Sequence, residues 1–270
     1  MGLIYEPRGP AREYAELALN LYKGCTHGCK YCYAPNFSYM GEKPENRQEL
    51  FDKAEIVGKK KWSTEEKISR VLKRLKNAVS KHKGGPRVLM SFISDPYQPL
   101  EEELQLTQKA IEILGEAGVG MTILTKGATR ALRDWDLFLK YNIEIAQTIC
   151  WMDDKKRKEW EPNTSSIPER LQLLEKAKSA GLPTWISIEP IMDADETLDA
   201  VDELIGKTDL LKIGVVDSRW NPDDHAAIKW TELLKKILAK VDGKQHYYIK
   251  NGLWEYADDE IRETWKKEWR

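Results

Sequence analysis

Gly24-Cys25-Thr26-His27-Gly28-Cys29-Lys30-Tyr31-Cys32-Tyr33-Ala34-Pro35 carries three of the four cysteines of the chain within eight residues, at the spacing Cys-x3-Cys-x2-Cys. Cys150 stands alone. A disulfide framework spreads its cysteines to staple distant segments, whereas clustered thiols point to a metal or a cluster. Three thiolates on one short loop can wrap three irons of a [4Fe–4S] cube and leave the fourth iron without a protein ligand. Electron-transfer clusters use four cysteines instead. An open iron can bind a small chelating molecule, as an open zinc position binds water or substrate. The competing reading is structural zinc, with Cys150 or His27 as fourth ligand. Zinc sites favour paired Cys-x2-Cys units, and no second pair exists here. One remaining thiol is also too few for a second cube.

Outward from the loop, short apolar runs alternate with longer amphipathic segments. The expected strands are Leu17 to Leu21, Arg87 to Ile93, Gly120 to Thr125, Ile143 to Ile149, Thr184 to Ile188 and Leu210 to Val216, with a possible seventh at His246 to Lys250. The first is the weakest, because it has no β-branched residue. Ser63-Thr64-Glu65-Glu66 reads as a capping box, and Ile68, Val71, Leu72, Leu75, Ala78 and Val79 follow at helical spacing. Further helices are expected near Gln108 to Ala117, Ala131 to Tyr141, Ile167 to Ala180, Glu196 to Ile205 and Ala226 to Val241. The alternation predicts an α/β protein with a parallel sheet covered by helices, as a closed or partly closed barrel or a doubly wound sheet. In either, ligands bind at the C-terminal ends of the strands. Those ends carry Cys25 to Cys32, Ser94-Asp95, Lys126, Cys150, Glu189-Pro190 and Asp217-Ser218-Arg219.

The 270 residues carry 43 Lys and Arg against 44 Asp and Glu, a net charge of −1, so global charge favours neither a nucleic-acid nor a membrane binder. No run approaches the ~18 apolar residues of a membrane span. Residues 1 to 16 show no cationic segment followed by an apolar stretch, which predicts a cytoplasmic protein.

The cysteine loop, with its aromatic before the third Cys and its position after a first strand, resembles the cluster motif of the radical S-adenosylmethionine superfamily. Asn20-Leu21-Tyr22-Lys23-Gly24-Cys25, Ser94-Asp95-Pro96-Tyr97-Gln98-Pro99, Leu124-Thr125-Lys126, and Glu161-Pro162 with the Glu169-Arg170-Leu171 helix resemble its spore photoproduct lyase-related branch. The resemblance implies a partial parallel (β/α)6 barrel over residues 17–250, after an N-terminal extension (1–16) and before a C-terminal helical extension (251–270). It implies that Cys25, Cys29 and Cys32 hold a [4Fe–4S] cluster whose open iron chelates S-adenosyl-L-methionine. Reductive cleavage would yield a 5′-deoxyadenosyl radical that abstracts hydrogen from a substrate, with electrons from a flavodoxin- or ferredoxin-type donor. Ser94 and Asp95 would lie near the methionyl end of the cofactor, Lys126 would face its carboxylate and Tyr31 its adenine. Glu189, at a strand end, is a candidate for binding the cofactor ribose, and equally for a substrate acid or a buried paired carboxylate. The spore lyase uses a cysteine hydrogen donor just before the Ser-Asp stretch. Ser91-Phe92-Ile93-Ser94-Asp95 has no thiol there, so the chain departs from a true spore photoproduct lyase.

The substrate is less legible. Cys150, Glu189 and Asp217 are the candidate catalytic residues. A nucleobase, nucleotide or nucleic acid is expected by analogy with the branch. A peptide or small metabolite is the alternative, and a non-enzymatic zinc-binding interaction module the third reading. The basic helix from Lys67 to Lys83, and Asp154-Lys155-Lys156-Arg157-Lys158 between Trp151 and Trp160, are possible phosphate-binding or base-stacking surfaces as well as ordinary solvated ones. Trp254, Trp265 and Trp269 suggest a docked terminal helix.

Overall fold

A computed structural model describes residues 3–216, 218–219 and 222–265. Asp217, Trp220 and Trp269 therefore lie outside the described residues. The main sheet has eight strands in the order β1-β2-β5-β6-β7-β8-β9-β10. They are β1 (Ile4–Tyr5), β2 (Leu17–Leu19), β5 (Val88–Met90), β6 (Met121–Thr125), β7 (Glu144–Thr148), β8 (Thr184–Ile191), β9 (Leu210–Val215) and β10 (Tyr247–Ile249). All neighbours pair in parallel except β1, which runs antiparallel to β2. The order has two ends, β1 and β10, so the sheet is an open, partial barrel. A separate antiparallel pair, β3 (Tyr22–Lys23) and β4 (Glu55–Ile56), flanks the cysteine loop.

All seven expected parallel strands form, most of them shorter than their apolar runs. The weakest, β2, is held by pairing on both sides, with Leu17 to Leu19 against Val88 to Met90 and Ala18-Leu19 against Tyr5-Ile4. Tertiary pairing outweighs its poor strand propensity. Ile123, Ile145, Ile186 and Leu211 join the large core between sheet and helices. Their strand neighbours Leu124, Ala146, Trp185 and Leu210 turn to the inner face, where they pack with Leu89, Phe92 and Tyr14. That is the period-two alternation of a strand buried on both faces.

Helices cover the outer face. Residues 33–62 contain α1 (Ala34–Ser38), α2 (Pro44–Asp52) and β4. The capping box at Ser63 is reciprocal, with the Ser63 hydroxyl accepting from Glu66 N and the Glu66 carboxylate accepting from Ser63 N, and it starts α3 (Thr64–Ala78). Ser166 and Glu169 repeat the device at the helix Ile167–Ser179. The weak segment 131–141 breaks into short turns, Ala128–Ala131, Leu132–Asp134 and Trp135–Lys140.

Residues 3–16 and 251–265 are tied into the barrel. The short helix Gly9–Glu13 crosses from β1 at one sheet edge to β10 at the other. There Glu13 Oε1 accepts from the Tyr248 hydroxyl at 2.9 Å and from Asn251 N at 2.7 Å. Lys212 Nζ donates to the carbonyls of Glu13 and Tyr14. Residues 1–16, expected as an extension, thus include a sheet strand and a strap across the open seam. At the other end Leu253, Ala257 and Ile261 are buried in the main core, with Trp254 and Trp265 packed against it.

Candidate active site

The cysteine loop begins where the chain leaves β3. Gly24 adopts φ +86°, and a Cβ there would stand 2.3 Å from the carbonyl oxygen of Phe51, so both conformation and space require glycine. The same carbonyl accepts from Cys25 N at 3.0 Å. Gln98, fully buried, accepts from Thr26 N with Oε1 and donates to Gly24 O with Nε2. The Ser94-to-Pro99 stretch therefore grips the loop from the neighbouring strand end.

Beneath the loop lies a polar strut. His27 is 2% exposed, its Nδ1 stands 3.5 Å from Asp95 Oδ2, and Arg130 donates to its Nε2 at 2.7 Å. Arginine only donates, so Nε2 is the acceptor and the ring proton sits on Nδ1, towards Asp95. Burial, with Arg130 alongside, draws the imidazole pKa down to about 4 and keeps the ring neutral. Asp95 also accepts from Tyr97 N, Lys126 N and the Thr125 hydroxyl. Burial pushes the Asp95 pKa up, but His27 and these donors outweigh it and hold it below the usual carboxylate range. Its oxygens are consumed under the loop, and Asp95 does not border the cavity described below.

A second clamp comes from residues 160–170. Lys30 N donates to Trp160 O, Asn163 N to His27 O and Asn163 Nδ2 to Thr26 O. The Tyr31 hydroxyl donates to Glu161, which is ion-paired with Arg170, and both charged side chains are fully buried. Arg170 further donates to the carbonyls of Thr148 and Ser165. Burial would raise the Glu161 pKa, but Arg170 and Lys126 hold it down. The Glu161-Pro162 and Glu169-Arg170 motifs are thus the fastening of the loop's inner side.

Cys25, Cys29 and Cys32 are free thiols that all border one cavity of about 470 Å³ at the C-terminal ends of the strands. That volume is in the ~300–1,000 Å³ range of small-molecule sites. Burial raises the pKa of all three. Tyr31, Ser94 and Lys126 border the same cavity. Burial would lower the Lys126 pKa, but Cys29, Glu161 and Cys150 outweigh it and keep the ammonium charged. Among the described residues no three His, Cys, Asp or Glu are gathered closely enough to hold a single ion. His27 is committed to Asp95 and Arg130, and Cys150 lies outside the cavity, so neither joins the three thiols as a fourth ligand. Three thiols around a roomy, cation-bearing cavity fit a cluster with one open corner.

The opposite wall is polar. Glu189 takes the Lys250 ammonium on both oxygens, at 2.8 and 2.6 Å, and the Tyr14 hydroxyl on Oε2. Ser187 Oγ is 2.7 Å from Tyr14 Oη. Gly214 makes room for the pair, since a Cβ there would come 2.7 Å from the Glu189 carboxyl carbon and 2.9 Å from the Lys250 side chain. Tyr14 and Lys250 were not among the sequence candidates. Neither sits in a motif, and the only local signal was the place of Lys250 at the end of the possible seventh strand.

Cys150 is 3% exposed, and its Sγ is 3.5 Å from the Tyr31 hydroxyl, which screens it from the cavity. Burial, with Glu161 nearby, pushes this thiol up to about 12. Trp151 and Trp160 pack against each other at a tilt of 31° with centroids 5.7 Å apart. Trp151 is 4% exposed and offers no open platform for a base, while Trp160 is half-buried with Lys30 over its ring. Arg219 is exposed and borders the cavity, while Trp185 is buried on the inner sheet face.

The family model described as the radical SAM superfamily matches residues 19–207. An uncharacterised protein of Methanocaldococcus jannaschii is 31% identical over 204 residues, covering 72% of this chain and 66% of that protein. An uncharacterised protein of Mycobacterium bovis is 26% identical over 195 residues, covering 70% of this chain and 54% of that one. The chain thus spans roughly half to two thirds of the length of these relatives. Among solved structures, spore photoproduct lyase complexed with dinucleoside spore photoproduct superposes with a TM-score of 0.60 at 16% identity, covering 90% of this chain and 79% of that one. Streptococcus suis SuiB bound to its precursor peptide SuiA gives 0.59 at 13%, covering 91% and 52%. These likenesses show the fold.

Proposed function

The chain belongs to the radical SAM superfamily, and from that premise we propose that it is an enzyme that abstracts hydrogen from a nucleobase-containing substrate held between the thiol wall and the Glu189 wall of one cavity. The observation that carries this reading is the convergence of Cys25, Cys29, Cys32, Tyr31, Ser94 and Lys126 on that cavity. Cys25, Cys29 and Cys32 would hold a [4Fe–4S] cluster. When bound, the cluster and S-adenosyl-L-methionine supply the one-electron cleavage that makes a 5′-deoxyadenosyl radical. Lys126, half-buried at the cavity wall, would supply a cation for the cofactor carboxylate. Tyr31, held by Glu161, and Ser94 would supply walls for the cofactor. His27, neutral, and Asp95, ionised, would act from beneath as a strut that fixes the loop. A low-potential donor of flavodoxin or ferredoxin type would reduce the cluster.

The substrate class rests on the rest of the lining. Tyr14, Tyr33, Phe37 and Phe92 supply aromatic faces, Arg8 and Arg219 supply cations, and Glu189, the one carboxylate among the described residues of the lining, is paired with Lys250. Flat apolar faces beside positive charge suit a base joined to phosphate. Glu189, fixed by Lys250 and Tyr14, would orient the base from the side opposite the thiols. No described helix is long and apolar enough to cross a membrane.

The test is anaerobic reconstitution with iron and sulfide, then dithionite and S-adenosyl-L-methionine, with 5′-deoxyadenosine quantified beside a Cys29→Ala control. Formation by the wild type alone supports the reading, and its rise on adding nucleosides or oligonucleotides supports the substrate class. A fully loaded protein that forms none, with or without these substrates, overturns it.

A further inference from the structure

Net charge hides a strong local asymmetry. Residues 59–87 carry eleven Lys and Arg against two Glu, in a chain whose total is −1. From Lys67 to Arg87 no carboxylate interrupts the run. On α3, Val71 and Leu75 are buried, and Arg70, Lys73 and Lys76 are exposed on the opposite side. Lys59, Lys60 and Lys61 before the helix and Lys81 and Lys83 after it are exposed as well. Fifteen helical residues alone extend the stripe over about 22 Å.

The stripe begins beside the cysteine loop. Lys67 Nζ pairs with Glu55 at 2.8 Å on β4, and β4 pairs with β3, which runs directly into Gly24-Cys25. At this end the Arg70 guanidinium lies 4.3 Å from the Trp62 ring centroid, with Lys59 at 5.8 Å from the same ring. Beyond the half-buried Trp62, the stripe shows little apolar contact area. The large hydrophobic side chains exposed among the described residues are Tyr33, Phe37, Met40 and Leu139, none of them on α3 or its flanks. A docked protein needs an apolar core within its interface. Phosphates need only cations, because binding is driven by counterion release and fixes register without reading bases.

We propose that this stripe binds the phosphodiester backbone of a nucleic acid and so delivers a base of that strand to the mouth of the thiol-lined cavity. The assignment rests on the nucleobase reading of that cavity and extends it from a nucleotide to a polymer. The charge asymmetry orients the molecule, since the remainder of the chain is net acidic and repels the same backbone.

The test is fluorescence anisotropy of the full chain with a labelled 20-nucleotide single strand and the matching duplex, at 50 and 200 mM salt. The stripe variant combines Lys60→Gln, Lys61→Gln, Lys73→Gln and Lys76→Gln. A control combines Lys155→Gln, Lys158→Gln, Lys236→Gln and Lys244→Gln, which are also exposed. About four phosphate contacts predict a loss near 100-fold in affinity between the two salt concentrations for the wild type on duplex. The stripe variant should bind at least 10-fold more weakly at 50 mM with a flatter salt dependence, and the control should bind as the wild type does. Circular dichroism and iron content should match in all three. Equal loss in both variants, no loss in the stripe variant, or no measurable binding by the wild type would each overturn the proposal. So would a stripe variant that binds oligonucleotide normally but accepts electrons poorly from an acidic flavodoxin. Because 5′-deoxyadenosine formation without oligonucleotide should be the same in the wild type and stripe variant, failure of docking is distinguishable from failure of the radical chemistry.

Discussion

The two walls of the cavity are built in opposite ways. The thiol wall is a twelve-residue loop pinned from behind by Gln98, His27–Asp95–Arg130, and the Glu161–Arg170 pair. The facing wall joins residues that are distant in the chain: Tyr14 to Glu189, Glu189 to Lys250, and Glu13 to Tyr248 and Asn251. The family model covers residues 19–207 and so includes the loop and its clamps, but neither Tyr14 nor Lys250. The difference teaches that the thiol wall is local in sequence and the facing wall is assembled over long range. The first wall is legible as a motif, while the second exists only when both chain ends close on the open seam.

If that division is right, substitutions on the two walls should separate chemistry from recognition. The largest effect is expected at the thiols. Cys25→Ala, Cys29→Ala or Cys32→Ala should abolish a stable cluster and lower 5′-deoxyadenosine formation by at least ~10³-fold, with circular dichroism unchanged. A retained rate would remove the thiol wall from the chemistry.

Next comes the fastening of that wall. Arg170→Met leaves Glu161 charged and buried without its ion-pair partner, which should cost about 3–5 kcal/mol of stability. Chemical denaturation checks the cost, and iron retention checks that the loop loosens with it. A neutral effect would mean that the backbone clamps alone hold the loop.

On the facing wall, Glu189→Gln should leave cluster content and basal 5′-deoxyadenosine formation within about twofold of wild type. It should lower substrate-dependent turnover by roughly 10–100-fold, because Lys250 and Tyr14 lose their charged partner. A fall in basal formation instead would move Glu189 to the cofactor side.

The smallest effect is expected under the strap. Lys212 is surrounded by Trp185 and Tyr14, with ring centroids 4.5 and 5.5 Å from Nζ, and burial lowers its pKa to about 8. Folding therefore disfavours its charged form. The penalty is fully present below pH 8 and is relieved as pH rises from about 8 towards the unfolded value near 10.5. Between these limits the wild type should gain of order 1–3 kcal/mol relative to Lys212→Met. Parallel denaturation curves for the two proteins across that range would show instead that the strap closes without burying the ammonium.

The stretches that were readable have short-range causes. The capping box at Ser63, the apolar runs, and three thiols in eight residues are set by neighbours within a turn or a strand. The boundary at residue 16 was not readable, because Ile4–Tyr5 becomes a strand only by pairing with Leu19 and Ala18. The stacking surface suggested by Trp151 and Trp160 looked plausible from composition. In the fold Trp151 is buried against a tilted Trp160, and only Trp160 keeps part of its ring at the surface.

The candidate roles divide in the same way. Spacing alone marked Cys25, Cys29 and Cys32 as one donor set, since loop geometry brings near neighbours together in any fold that accepts the loop. Spacing could not tell a residue that faces the cavity from one that supports it. Ser94, Lys126 and Glu189 face in, whereas Asp95 turns beneath the loop and Cys150 sits behind Tyr31. Adjacent residues at a strand end point to opposite sides, and which side meets the cavity depends on partners brought from elsewhere in the chain: His27 for Asp95, Glu161 for Tyr31, and Tyr14 with Lys250 for Glu189.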